Sequence, residues 1–352
     1  MSTLQHGRMT GAPTSHASPT EVVRAARRRP RRRLGLALLG LIVAVVAAFW
    51  LRVLGGDYLI TFGDFWRIVG GARIPGATFI LMQSKLPRAC LAILVGVALG
   101  TGGSVFQSTL RNPLASPDVI GVSSGASAAA VLGIVTWHAA GGQLALLAVA
   151  GAVATAVAVR FLTGVEAGQR LVLVGVTFAA GLVAVIQYLF TRADEYDAQL
   201  ALRWLTGSLA DAAWAQIRVL AIALVVLLPL TAYAWRSSRV LELGSDVAAG
   251  LGVGRRRADA LLACGVLLVA GATATAGPVA FVAFVAGPIA RALNRGRTTL
   301  LGSALVGALV MLVADYLGAY AFPGVNLPVG VVTGAFGAPF LLWLLTFSRR
   351  SA

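Results

Sequence analysis

Residues 85–125 read KLPRACLAILVGVALGTGGSVFQSTLRNPLASPDVIGVSSG. Lys85, Pro87 and Arg88 stand at the start of an apolar run rich in small residues, and Arg111, Asn112 and Pro113 stand at its end. Pro117 follows, then a Ser/Gly-rich opening to a second apolar run. About 20 apolar residues span the hydrocarbon of a bilayer as a helix. The stretch therefore reads as one membrane crossing, a tight polar turn, and the beginning of the next crossing.

Composition extends that reading to the whole chain. Of 352 residues, 58% are hydrophobic and 12% charged, with a mean hydropathy of +0.84. A typical soluble domain has about 25% charged residues. One aqueous core cannot bury this much apolar surface, so the solvent is lipid. The net charge of +16 does not indicate nucleic acid. The arginines sit at the ends of apolar runs and in one N-terminal cluster, which is how membrane proteins fix orientation. Cys90 and Cys264 lie inside apolar runs and read as packing thiols. His6, His16 and His138 have no metal-binding spacing, so no metal site is expected.

Residues 1–33 are polar, then strongly basic from Arg24 to Arg33, and read as a disordered cytoplasmic tail able to touch anionic headgroups. A first span follows over 34–53. Further runs are placed near 88–109, 119–137, 142–163, 170–191, 214–235, 258–275, 277–293, 300–320 and 328–347, which makes about ten helices. The run at 277–293 is the weakest, because Gly277, Pro278, Gly287 and Pro288 break or bend helices. The fold class is thus all-α and polytopic, with a transmembrane domain over 34–352. Arginines such as Arg111, Arg160, Arg170, Arg236 and Arg291 fall on one side, and Asp57, Asp64, Asp194 and Asp211 on the other. That asymmetry puts both termini in the cytoplasm. The pairs Gly96/Gly100, Gly121/Gly125 and Gly330/Gly334 have the small-xxx-small spacing of close helix contacts.

The chain has a single lysine, Lys85, and so no Gly-x-x-x-x-Gly-Lys-Ser/Thr loop for ATP. No catalytic constellation or dinucleotide fingerprint is present, so no catalytic residues are assigned. Asp315 is the one acid well inside an apolar run. It reads either as a structural hydrogen-bond acceptor or as the coupling carboxylate of an ion-coupled carrier. The longest inner connection, RSSRVLELGSDVAAGLGVGRRRAD at 236–259, reads as a short surface helix. Ser245 would cap it, Asp246 would favour its dipole, and Gly252 would stop it. Val247, Leu251 and Val253 would be exposed. The helix is either an ordinary loop helix or a docking element for an ATPase that this chain lacks.

These pieces, in order, resemble the FecCD-type permeases, the membrane subunits of ABC importers for iron-siderophores, haem and vitamin B12. They are LPR at 86–88, RNPLASPDVIGVSSGAS at 111–127, RWLTGSLADAAW at 203–214, LGSDVAAGLGV at 243–253, GPVAFVAFVAGPIAR at 277–291 and LPVGVVTGAFGAPFLLWLL at 327–345. The resemblance implies a type II ABC importer bundle of ten helices, paired with a second permease subunit that is either a copy or a relative. It implies two cytoplasmic ATPase subunits that use ATP, an extracytoplasmic substrate-binding protein, and no cofactor on this chain. It also implies that Lys85 and Arg88 meet acids of the binding protein. The coupling segment, about 240–257, would be Ser245, Asp246, Val247, Gly250, Leu251, Gly252 and Val253. Thr101, Ser104, Ser123, Ser124 and Ser127 would line the pathway, or else serve close helix packing. The chain departs from the family pattern at Ala319, where some members have an arginine, at Gly287-Pro288 in place of Pro-His, and at Asn326 in place of a carboxylate. These departures point to a ferric siderophore over vitamin B12 or haem.

Overall fold

The computed structural model describes residues 19–164, 169–241, 243–294, 296–322 and 324–348. Among them every regular element is helical. The helices are α1 (Pro19–Leu54), α2 (Phe62–Val69), α3 (Ala77–Phe79), α4 (Leu86–Thr109), α5 (Val122–Trp137), α6 (Gly141–Thr163), α7 (Gln169–Phe190) and α8 (Glu195–Leu205). They continue as α9 (Trp214–Trp235), α10 (Ser238–Leu241), α11 (Ser245–Gly250), α12 (Arg255–Ala276), α13 (Val282–Leu293), α14 (Leu300–Tyr320) and α15 (Val329–Ser348). Seven helical stretches are long and apolar enough to cross a membrane, and α5, α13 and the Val329–Trp343 part of α15 are shorter apolar helices. The protein is a multi-pass membrane bundle. Its near end carries the α4–α5 turn, α10 and α11; its far end carries α2, α8 and the last turn of α14.

The quoted stretch forms the hub. α4 packs on α14, α12, α13 and α9. Of the most apolar window in Ala77–Thr109, 78% is buried, against 11% in α1 and in α7. Small residues permit this: a Cβ on Gly96 would lie 2.6 Å from the Ala308 backbone, and Gly100 and Gly103 abut carbonyls of Ser303 and Ala283. Without a hydrophobic drive between helices in lipid, this close approach supplies the contact energy. Gly125 meets Thr155 and Gly151 of α6 in the same way. Gly330 abuts Thr206, whereas Gly334 faces open space, so the third glycine pair is only half used.

Several expected boundaries move. The basic segment is not wholly an irregular tail, because α1 is helical from Pro19, where alanines and long arginines favour helix. Residues 1–18 lie outside the described residues, as do Arg295, Arg349 and Arg350. The run at 277–293 is a helix only from Val282, since Gly277 and Phe281 adopt positive φ. The second span starts well before Lys85. Helix continues from Ala77 through a π-helical turn, Ile80–Lys85, into α4. Pro87 explains that turn. It has no N–H and would clash with the carbonyl four residues back in α register. In the wider register Leu86 N–H donates to the Leu81 carbonyl, and Pro87 falls opposite the Met82 carbonyl. The Trp214 indole N–H of α9 satisfies that carbonyl at 2.9 Å.

Candidate functional site

At the far end, three helices bring charge together. Arg52 closes α1, Arg88 lies in the first turn of α4, and Asp315 lies in the last third of α14. Asp315 accepts from Arg52 Nε at 2.6 Å and from Arg88 Nε at 2.7 Å, one guanidinium on each oxygen. Arg52 also lies over the Tyr320 ring, 5.5 Å from its centroid, and donates to its hydroxyl at 3.4 Å. Gly56, at φ 102°, lets the chain after α1 pass against that ring, where a side chain would collide. Lys85 is 4% exposed, and its ammonium donates to the carbonyls of Gly55 and Tyr58, both at 2.5 Å. A buried charge needs a partner; here one carboxylate, a phenol and two carbonyls serve three cations.

Both cations expected to reach outward are therefore turned inward. Because the helix begins at Ala77, Lys85 sits on its buried face rather than at its tip. Arg88 keeps partial exposure, and its Nε is committed to Asp315. Arg52 was missed in the sequence. Asp315 is held as a structural acceptor, the first of its two readings, and two guanidiniums occupy the carboxylate that a coupled ion would need.

At the near end, Gly244 at φ 114° precedes α11. Gly244, and not Ser245, is the residue before the first helical position, and it makes no side-chain cap bond. α11 ends in a Schellman motif: Val253 N–H donates to the Ala248 carbonyl at 2.8 Å, and Gly252 N–H to the Ala249 carbonyl at 3.0 Å. Gly252 takes φ 77°, as its place after the helix requires. Val247 and Leu251 are 51% and 61% exposed. Val253 is not exposed; at 7% it is tucked in, as the residue after a Schellman glycine packs back on the helix. Gly250 is exposed with open space around it. Of Ser245 and Asp246, the backbone lies in α11.

The α4–α5 turn adjoins this segment. Arg111, at φ 51°, brings its guanidinium beside Gly244. Asp118 accepts from the hydroxyls of Ser116 at 3.2 Å and of Ser123. The Asp118 side chain keeps some surface, yet its carboxyl is enclosed, and desolvation pushes it above the usual carboxylate range against the pull of the two serines.

The expected pathway residues separate. Thr101, Ser104 and Ser127 are buried inside this one chain, while Ser123 and Ser124 are half-buried. Thr101 and Ser104 flank Gly102 and Gly103 on the hub helix, and their hydroxyls have no hydrogen-bond partner. Close packing of α4 on α13 and α14 accounts for their small size. Next along α4, Gln107 donates to the Phe284 carbonyl at 2.9 Å and accepts from Arg291 at 3.2 Å, pinning α13. Among the described residues no group of His, Cys, Asp and Glu is placed to hold a metal.

The FecCD transport family matches this chain over residues 41–347. The ferric enterobactin transport system permease protein FepG of Escherichia coli (strain K12) is 37% identical over 325 residues, covering 91% of this chain and 98% of FepG. The Fe(3+)-citrate import system permease protein YfmE of Bacillus subtilis (strain 168) is 33% identical over 333 residues, covering 93% and 99%. A solved structure described as a metal-chelate type ABC transporter in an inward-facing conformation superposes with a TM-score of 0.75 at 25% identity, covering 89% of this chain and 99% of that one. The chain belongs to the FecCD transport family and is a membrane permease.

Proposed function

We propose that this FecCD-family chain is the membrane subunit of a binding-protein-dependent ABC importer that carries a ferric siderophore into the cytoplasm. The near end, rich in arginine, faces the cytoplasm, together with both termini. Two ATPase subunits supply the ATP chemistry, a second permease subunit completes the pathway, and a binding protein delivers the chelate at the far end. The observation that carries the reading is α11. Val247 and Leu251 stand side by side on a helix held rigid by its glycine stop, and both stay exposed among the described residues. An exposed apolar pair on a fixed cytoplasmic helix fits a socket on a partner. Motion of α11 passes into α12 across a link of four residues, and through Arg111 into the hub. The bundle then alternates between outward and inward opening.

At the far end, Arg88 is the cation that meets an acidic group of the binding protein, and Lys85 acts from behind by holding the Gly55–Tyr58 loop. The substrate class rests on relatives named for ferric enterobactin and Fe(3+)-citrate, and on the departures at Ala319, Gly287 and Asn326. The test is uptake of a panel of radio-iron chelates, with vitamin B12 and haem alongside, in cells with and without this chain. Loss of ferric siderophore uptake alone supports the proposal. Loss confined to vitamin B12 or haem moves the chain to that branch. Uptake driven by an ion gradient, without ATP or partners, would make it the ion-coupled carrier instead.

A further inference from the structure

After α1 the chain turns back to the end of that helix before it moves on. Ile60 N–H donates to the Leu54 carbonyl at 3.1 Å. α2 begins two residues later, where Asp64 N–H donates to the Thr61 hydroxyl oxygen at 3.1 Å and caps it. α2 therefore starts at the level where α1 ends. Its eight residues, FGDFWRIV, sort into three edges at helical spacing. Phe65 and Ile68 are buried in the main apolar core. Phe62, Trp66 and Val69 form the next edge and are exposed, the two aromatic residues at 55% each. Gly63, Asp64 and Arg67 form the third edge, which is polar.

Trp50 of α1 ties the exposed edge to a membrane span. Its ring centroid lies 5.0 Å from that of Phe62, 4.9 Å from Phe65 and 6.5 Å from Trp66. On α1, Leu39, Val43, Val46 and Trp50 follow one another at spacings of four, three and four, so they make one stripe. Leu39, Val43 and Val46 are all exposed, and only 11% of the most apolar window of α1 is buried. That stripe is the lipid-facing flank of the span, and Trp50 is its far-end rung. The exposed edge of α2 continues it. Other exposed aromatic residues mark the same end: Trp137 closes α5, Tyr188 lies in the last turn of α7, and Trp214 opens α9. Such rings collect where membrane meets water.

We propose that α2 is an interfacial anchor. Phe62, Trp66 and Val69 rest in the boundary between acyl chains and headgroups at the far end, and Asp64 and Arg67 face the water above it. Lipid, and not the binding protein, covers the exposed edge, because the stripe that the edge continues already faces lipid. The connection 55–61 is then held from two sides, by Lys85 at the Gly55 and Tyr58 carbonyls and by the membrane at α2. That the leaflet is the outer one rests on the proposed function; the pose of the helix does not.

The test uses the full chain with Cys90→Ala and Cys264→Ala, carrying Trp66→Cys, Val69→Cys or Arg67→Cys one at a time. Each new thiol takes a nitroxide label, and the protein is reconstituted into phosphatidylglycerol vesicles. Oxygen concentrates in the bilayer and a nickel chelate stays in water, so spin relaxation by the two reports the surroundings of each label. The ratio of oxygen to nickel accessibility should lie above unity for Trp66→Cys and Val69→Cys and fall below unity for Arg67→Cys. Val69 lies outside the aromatic cluster, so Val69→Cys reads the pose even where Trp66→Cys disturbs the packing. A ratio below unity for both Trp66→Cys and Val69→Cys would leave the edge in water, open to the binding protein, and would overturn the anchor. A ratio above unity for all three would sink the polar edge as well and overturn the pose. Dipolar broadening between copies labelled at Val69→Cys would also overturn it, by making the edge an interface between two chains. Reaction of Arg67→Cys with a membrane-impermeant maleimide on intact cells reports the outward orientation separately, so a failure of the proposed function is not mistaken for a failure of the anchor.

Discussion

The two ends of this bundle solve opposite problems. At the far end, Arg52, Arg88 and Asp315 come from three different helices and pair with one another, while Lys85 turns inward onto two backbone carbonyls. At the near end, α11 keeps its backbone satisfied by its own turn and leaves Val247 and Leu251 without cover. In the first region the charges find their partners within the chain, with Arg88 alone keeping partial exposure; in the second an apolar pair is left exposed, as a docking surface requires.

Breaking the far end should show the largest effect. Asp315→Ala leaves two guanidiniums facing each other at depth, and losing one member of such a buried network costs about 3–5 kcal/mol. The expected outcome is a large fall in the thermal unfolding midpoint in detergent and poor recovery of folded protein. Arg52→Met should cost less, because Asp315 keeps Arg88. Next, Lys85→Met deletes two charge-assisted bonds to the Gly55 and Tyr58 carbonyls, at about 1.5–3 kcal/mol. Its readout is again the unfolding midpoint, together with faster protease cleavage in 55–61.

The near end should answer in the other currency. Leu251→Asp should lower uptake by about tenfold or more, equivalent to ~1.4 kcal/mol of coupling, while the unfolding midpoint stays within what a surface change of about 0.5 kcal/mol produces. A Leu251→Asp protein that unfolds early would place α11 in the core and erase the contrast between the ends.

The smallest effect concerns Asp118, which stands between the two cases as an enclosed carboxyl on a half-buried side chain. Its ordinary value is near 3.8, and in the fold desolvation raises it. The folded state thus holds the proton more tightly than the unfolded chain. The stability it contributes is fully present below the ordinary value and is lost as pH rises through the raised one. Asp118→Asn removes this dependence. It should match the parent in acid and exceed it near neutrality, as measured by unfolding midpoints across pH.

Much of this was legible in the chain. Ten apolar runs became ten helices, because length and hydropathy decide a crossing almost alone. The stop at Gly252 was legible too, since a positive φ after a short helix selects glycine. The inward turn of Lys85 was not. Gln83, Ser84 and Lys85 look like the polar edge of a span, and only the π-helical turn before Pro87 carries the helix through them. Arg52 was passed over because an arginine at the end of a span ordinarily reaches for headgroups. A signal did exist: Arg52 and Arg88 stand at the far-end tips of two different spans, level with the lone acid well inside an apolar run. Val253 was misread because spacing does not tell which side of a tight stop a residue folds onto.

The π-helical turn has a mechanical meaning. Pro87 offers no N–H, so the hub helix lacks one rung of its ladder within the ionic cluster, between Lys85 and Arg88, and an indole from α9 fills the gap from the side. A rod missing a rung twists there before it twists anywhere else. The joint falls between Lys85, tied to the Gly55 and Tyr58 carbonyls, and Arg88, tied to Asp315, so the buried charges splint the one place where the hub helix would otherwise flex.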